Sequence, residues 1–164
     1  MKACLISVGN ELLCGRTVDT NASWLSGQLF AMGITTESIR LVRDEIADIV
    51  DALHQAGQKA DIVLVTGGLG PTDDDLTRQA MAQYMGSELV FHPELGPQIQ
   101  SFFTSRGLTM PQRNYIQAYI PGGTEPIVNP CGTAPGVLYE SETLFVALMP
   151  GVPSEMKGMF EETV

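Results

Sequence analysis

No apolar run in this 164-residue chain approaches the roughly 20 residues needed to span a bilayer. The opening segment Met1 to Val8 meets Asn10 and Glu11 before the apolar stretch of a secretory signal could be completed. Positive charge is scarce: nine Lys plus Arg stand against 19 Asp plus Glu, a formal charge of −10. That balance opposes the broad phosphate-backbone footprint of a nucleic-acid binder and leaves at most a local basic patch. Cysteine is limited to Cys4, Cys14 and Cys131, an odd count with no C-x-x-C pair, so neither a disulfide framework nor a zinc site is indicated. The two histidines, His54 and His92, have no neighbour at ligand or general-base spacing. The expectation is a cytoplasmic protein with free thiols, no membrane association and no direct contact with nucleic acid.

What is present suits a single domain over residues 1–164. With 44% hydrophobic residues, a chain of this length buries about 70% of its unfolded surface. Lys2–Val8 and Ala60–Thr66 are short, nearly continuous apolar runs that each end in glycine, the pattern of strands buried on both faces of a parallel sheet. Between them, Leu25, Leu29 and Met32 share one helical face, as do Ile46, Ile49, Val50 and Leu53. Thr35–Val42 reads as the middle strand of a β-α-β-α-β succession. After Gly70-Pro71, the run Thr72-Asp73-Asp74-Asp75 resembles a capping box leading into a helix that carries Leu76, Ala80 and Tyr84. From Phe91 to Gly136 the Pro- and Gly-rich chain predicts an elaborated loop laid over the sheet, with a helix around Leu95–Phe103 and a shorter one around Gln112–Ala118. Val137–Tyr139 and Leu144–Met149 predict a hairpin, and a last helix starts near Pro153. It runs into Glu161-Glu162-Thr163-Val164 without a capping signal, which suggests a piece of a longer protein or an unusually short one.

The chemistry concentrates at Thr66-Gly67-Gly68-Leu69-Gly70-Pro71-Thr72-Asp73-Asp74-Asp75. Glycines directly after a buried strand turn backbone N–H groups toward an anion, and a following helix start adds its positive dipole end. The loop is neither a Walker A sequence nor a G-x-G-x-x-G fingerprint, so neither an ordinary NTPase nor a nucleotide-binding dehydrogenase is supported. Asp75 with Asp74 or Thr77 is a candidate holder of Mg²⁺ or a similar hard cation, substrate phosphates supplying further ligands. The competing reading is a solvated acidic first turn that stabilises the helix. A second group follows the first strand: Glu11, Asp19 and Asn21 are candidates to converge with Asp74 and Asp75 in one pocket. Asp19 also suits a helix cap, as does Asp44 after the second strand. Asn114 and Gln117, three apart, offer amide pairs to a base or ribose, or simply brace a loop.

These blocks, GNELLCG (9–15), DTN (19–21), TGGLGPTDDDLT (66–77), NYIQAYIP (114–121), NPCGTAPG (129–136) and MPGVPSEM (149–156), closely resemble the N-terminal domain of the CinA family, within the molybdopterin-binding superfamily. The resemblance implies an α/β fold, a three-layer α/β/α sandwich with a mostly parallel sheet. It also implies hydrolysis of ADP-ribose to AMP and ribose 5-phosphate with a divalent metal (Mg, Mn or Co), aided by potassium. By position, Glu11 and Asp19 match residues lining the superfamily pocket. Gly67, Gly68 and Gly70, with Pro71 and Thr72 beside them, match its phosphate-contacting turn, and Asp75 matches an aspartate linked to metal or catalysis. Asp44 matches an acidic position of the molybdenum insertases, whereas Asn10 departs from the residue common before Glu11. Longer family members continue into a connecting domain and one similar to nicotinamide-nucleotide amidohydrolases, so deamidation is not assigned to these residues.

The expected activity is therefore metal-dependent attack on the diphosphate of ADP-ribose. Asp75, Glu11 and Asp19 are catalytic candidates, Asp19 orienting water. Asp74 and Asp75 are candidates for the metal. Asn21, Asp44, Asn114, Gln117 and the glycine loop are candidates for nucleotide and phosphate. Two alternatives stand beside it: a molybdopterin adenylyltransferase-like enzyme acting on a pterin phosphate and ATP, and a non-catalytic nucleotide- or partner-binding module of competence and DNA-damage responses. A homodimer or trimer is expected from the superfamily.

Overall fold

Each of the central strands sends alternate side chains into a different layer, and that alternation defines the architecture. In the computed structural model, which describes residues 1–164, strand β1 (Lys2–Val8) points Cys4, Ile6 and Val8 to one side and Ala3 and Leu5 to the other. Strand β3 (Ile62–Thr66) likewise divides Val63 and Val65 from Ile62 and Leu64. A period of two with both faces apolar gives an uninterrupted hydrophobic run, so the burial of these two strands is legible in the sequence itself.

The order along the chain is β1, a short α1 (Asn10–Leu13), α2 (Thr20–Ala31), β2 (Thr35–Val42), α3 (Ile46–Gly57), β3, and α4 (Thr77–Met85). Then come β4 (Leu89–Phe91), α5 (Leu95–Thr104), a 3-10 helix (Gln112–Ala118), β5 (Tyr119–Pro121), β6 (Glu125–Ile127), β7 (Gly136–Glu140), β8 (Phe145–Met149) and α6 (Pro153–Thr163). Six strands form one sheet in the order β2-β1-β3-β8-β7-β6, with parallel pairing from β2 through β8 and antiparallel pairing of β7 with both β8 and β6, so that β7 alone runs against the rest. Helices α2 and α6 cover one face through Leu25, Leu29, Met156 and Met159. Helices α3, α4 and α5 cover the other through Ile49, Leu53, Met81 and Ile99. This is the α/β/α sandwich with a mostly parallel sheet that the sequence implies. No helix is long and apolar enough to cross a membrane.

Several expectations need correction. Thr35–Val42 is the middle strand of the succession but the edge strand of the sheet, with most of its residues exposed. The stretch from Phe91 to Gly136 is more than a loop: β4 and β5 form a separate antiparallel ribbon, and β6 extends the main sheet. Asp73, Asp74 and Asp75 are not in the first turn of a helix, because α4 begins only at Thr77. They sit on a tight turn closed by Asp75 N–H donating to the Thr72 carbonyl at 3.1 Å. Asp44 does not cap α3, whose preceding residue is Glu45 without a side-chain cap. Its carboxylate instead accepts the Asn10 N–H at 2.8 Å, tying the start of α1 to the end of β2.

Candidate active site

The chain leaves β1 toward β2 on one side and reaches β3 on the other, so strand order reverses between β1 and β3. Crevices outside the carboxyl ends of strands at such a reversal are the usual ligand sites of open α/β sheets. Here the crevice has a volume of about 360 Å³ and is bounded by Val8, Gly67 to Pro71, and Pro150 to Val152 beyond β1, β3 and β8. A larger groove of about 630 Å³ lies elsewhere, around Leu29, Ile62, Phe145 and Phe160. Its walls are mainly apolar and include none of the glycine loop, so the chemistry is assigned to the smaller crevice.

The glycine loop is fixed by its carbonyls. Thr77 donates its hydroxyl to the Gly67 carbonyl at 2.8 Å and its N–H to the Gly68 carbonyl at 3.1 Å. Arg78 donates Nη1 to the Leu69 carbonyl at 2.7 Å and Nη2 to the Gly70 carbonyl at 3.1 Å. Four consecutive carbonyls are thus held by the first two residues of α4. Every peptide bond in the chain is trans, and in a planar trans peptide C=O and N–H point in opposite directions. The N–H groups of Gly68, Leu69 and Gly70 consequently point away from α4, and none has a protein acceptor. Pro71 has no N–H, so the row ends there. Gly67 and Gly68 have φ of 98° and 70°, a region only glycine occupies cheaply. A Cβ on Gly67 would run into the Val8 carbonyl oxygen, and one on Gly68 into the Thr77 hydroxyl.

Five carboxylates line the same crevice, those of Glu11, Asp44, Asp74, Asp75 and Glu155, and no Lys or Arg does. The turn after Gly70 positions two of them. Asp75 Oδ2 accepts the Thr72 N–H at 2.9 Å, and the Thr72 hydroxyl lies between Asp75 and Asp74, 2.6 Å from the latter. Hydrogen bonding from that hydroxyl, and then from its own N–H, holds the Asp74 carboxyl below the usual carboxylate range. Glu155, in the first turn of α6, accepts from Asn129 Nδ2 at 2.6 Å, and the same amide donates to the Ala134 carbonyl. Hard oxygen donors of this kind suit Mg²⁺ or Mn²⁺, which take one or two carboxylates and complete their shell with water and substrate phosphate. No three acidic, His or Cys side chains converge into a closed metal cage.

Of the residues singled out from sequence, Glu11, Asp44, Gly67, Gly68, Gly70, Pro71, Asp74, Asp75 and Gln117 line the crevice. Asp19 does not. Its Oδ1 caps α2 by accepting the Ala22 N–H at 3.0 Å, and it borders a separate groove with Ser23, Ser26 and Phe30. Asn21 is buried beneath the site, donating to the Gly151 carbonyl at 2.8 Å. Gly151 in turn packs against Gly67, so Asn21 braces the wall rather than forming it. Asn114 is buried and donates to Gln117 Oε1 at 3.1 Å, orienting the one amide that reaches the crevice. Thr72 holds the two aspartates. Thr77, a candidate cation holder beside Asp75 on sequence grounds, is wholly committed to the loop. Sequence reasoning misses Glu155 and Arg78. A signal for Arg78 exists: it shares a helical face with Met81, Ala82 and Met85, where a charged side chain is out of place.

Residues 4–164 match the family described as "Probable molybdopterin binding domain", and the chain belongs to that family. It is 46% identical over 162 residues to "Protein PAE0875" of Pyrobaculum aerophilum, covering 99% of this chain and 61% of that protein. It is 44% identical over 162 residues to a "CinA-like protein" of Thermomicrobium roseum, covering 99% of this chain and 40% of that one. The chain therefore spans between two-fifths and three-fifths of these relatives' length. Among solved structures, that of the protein CinA from Thermoplasma acidophilum superposes with a TM-score of 0.89 at 36% identity, covering 98% of this chain and 94% of the other. The molybdopterin biosynthesis enzyme MoaB of Thermus thermophilus shares the fold alone, with a TM-score of 0.64 at 18% identity over 98% of this chain and 87% of the other.

Proposed function

We propose that the crevice binds the phosphate groups of a nucleotide or pterin ligand and supports attack at phosphorus. The observation that carries this reading is the row of N–H groups on Gly68, Leu69 and Gly70 that have no protein acceptor, in a crevice also lined by five carboxylate residues. The N–H groups suit non-bridging phosphate oxygens, and the carboxylates, which repel an anion by themselves, suit a divalent cation placed against it. Such a cation, when bound, offsets charge on the phosphate oxygens. Asp74 and Asp75, brought together by the Thr72 hydroxyl, are the side chains to hold it, with water and substrate phosphate completing its shell. Glu155, kept in place by Asn129, takes the water-orienting role that the sequence suggests for Asp19, which lies outside the crevice. Gln117 and Asn114 offer a braced amide to a base or ribose.

Two reactions fit this arrangement. Membership of a family described as molybdopterin-binding favours a pterin phosphate with a nucleotide as the ligands, in a transfer reaction. The CinA likeness favours hydrolysis of ADP-ribose to AMP and ribose 5-phosphate. The deciding experiment measures AMP release from ADP-ribose with Mg²⁺, Mn²⁺ or Co²⁺ plus K⁺, with EDTA, and with Asp75→Asn. A parallel reaction supplies molybdopterin and ATP and follows pyrophosphate release. Turnover in the first that is lost with EDTA and in the variant establishes hydrolysis, and turnover in the second alone establishes transfer. Nucleotide binding without turnover in either leaves a binding module.

A further inference from the structure

We infer that Arg78 is the positioning residue of the anion subsite, supplying its positive charge from behind the loop through the peptide groups rather than by touching the ligand. This rests on the anion-binding reading of the crevice and names the residue on which it depends. Arg78 is 1% exposed, and no carboxylate lies within 4.0 Å of its guanidinium, since it forms none of the ion pairs in the molecule. A buried, unpaired charge is costly, and burial lowers the Arg78 pKa to about 10, against the smaller opposing pull of Asp75. It stays protonated near neutral pH. Two of its nitrogens are spent on the Leu69 and Gly70 carbonyls, while Nε has no protein partner.

The Leu69 carbonyl belongs to the same peptide group as the Gly70 N–H. A charge-assisted bond at the carbonyl end polarises that group and strengthens the N–H as a donor on the far side. The crevice itself contains no cationic side chain, so this relay is how a phosphate meets positive charge from the protein without any basic residue reaching it. A lysine could not reproduce it. A single ammonium head lacks the rigid planar fork that reaches two adjacent carbonyls at once.

The test measures binding of inorganic pyrophosphate with Mg²⁺ by calorimetry to wild type, Arg78→Lys and Arg78→Met, together with far-UV circular dichroism and thermal melting. Backbone amide shifts of Gly68, Leu69 and Gly70 are followed by NMR in wild type. We expect Arg78→Lys to fold and to bind about tenfold or more weakly, with Arg78→Met weaker still. In wild type, those three amides should shift most on titration. Folded Arg78→Lys with wild-type affinity and a lowered melting temperature overturns the inference, because that is the signature of a purely structural arginine. If neither variant folds, unmoved Gly68, Leu69 and Gly70 amides in saturated wild type overturn it equally. Pyrophosphate binding that depends on Arg78 without turnover of ADP-ribose or of pterin and ATP defeats the proposed reactions and leaves the inference standing.

Discussion

Replacing Gly68 by alanine tests the loop geometry directly, because a built-in control lies elsewhere in the chain. Gly68 has φ of 70° and Gly33 has φ of 77°, yet a Cβ at Gly33 meets nothing within 4 Å, whereas one at Gly68 meets the Thr77 hydroxyl. Both substitutions carry the left-handed backbone cost of about 1–2 kcal/mol. Only Gly68→Ala must also displace the hydroxyl that holds the buried Gly67 carbonyl, adding about 1–3 kcal/mol for a buried polar group left unmatched. The expected loss is then about 2–5 kcal/mol for Gly68→Ala against about 1–2 kcal/mol for Gly33→Ala. For a domain of this size that corresponds to melting points lower by about 4–20 °C and about 2–8 °C respectively, Gly68→Ala always the lower of the two. Differential scanning calorimetry resolves the two, and pyrophosphate titration of the folded proteins should find only Gly68→Ala impaired, by about tenfold or more. Equal melting points with unimpaired binding in both variants would refute the claim that Thr77 clamps this loop.

Other consequences can be measured independently. Thr72→Val removes the hydroxyl that stabilises the Asp74 carboxylate, so the Asp74 pKa should rise toward the ordinary aspartate value in a carboxyl-detected NMR titration. Because the folded Asp74 pKa is lowered, its contribution to stability is present above the ordinary aspartate range and is lost as pH falls through the folded value; Thr72→Val should flatten that part of the acid-unfolding profile. Asn21→Ala deletes the bond to the Gly151 carbonyl beneath the crevice and should cost about 1–3 kcal/mol in urea unfolding, with weaker pyrophosphate binding as the wall against Gly67 relaxes. Leu64→Ala empties a fully buried position of the sheet and should cost about 2–5 kcal/mol while leaving the pyrophosphate affinity of the folded protein unchanged.

The parts of the fold that are legible in the sequence are those with a period. β1 and β3 announce themselves as apolar runs, α3 by its amphipathic spacing, and the β7–β8 hairpin by two strands around Glu140–Thr143. The three-residue strands β4, β5 and β6 are too short to show any alternation, and partners distant in sequence hold them: Leu89 faces Pro121 and Ile127 faces Gly136. The Thr72/Asp75 pair is matched correctly by its spacing and misplaced by it. The bond from backbone N–H to carboxylate that closes a capping box also closes an isolated turn, and only tertiary ties decide that the helix waits until Thr77. Asp19 and Asp44 show a similar limit. A carboxylate after a strand or before a helix serves a nearby N–H whether or not it also faces a ligand: Asp19 serves Ala22, the local cap its position suggests, whereas Asp44 serves Asn10, 34 residues away, through a chain crossing that no local pattern records.

The acidic lining of the crevice has a thermodynamic corollary. A multiply charged anion entering between Glu11, Asp44, Asp74, Asp75 and Glu155 meets repulsion that a cation relieves, and a cation held there gains from the anion in turn. Under the proposed function the two occupants would therefore be linked, and by linkage each would raise the affinity for the other by the same factor. A wall of like charge would in this way make the anion's affinity depend on the cation, turning the crevice into a site that answers to the pair rather than to the anion alone.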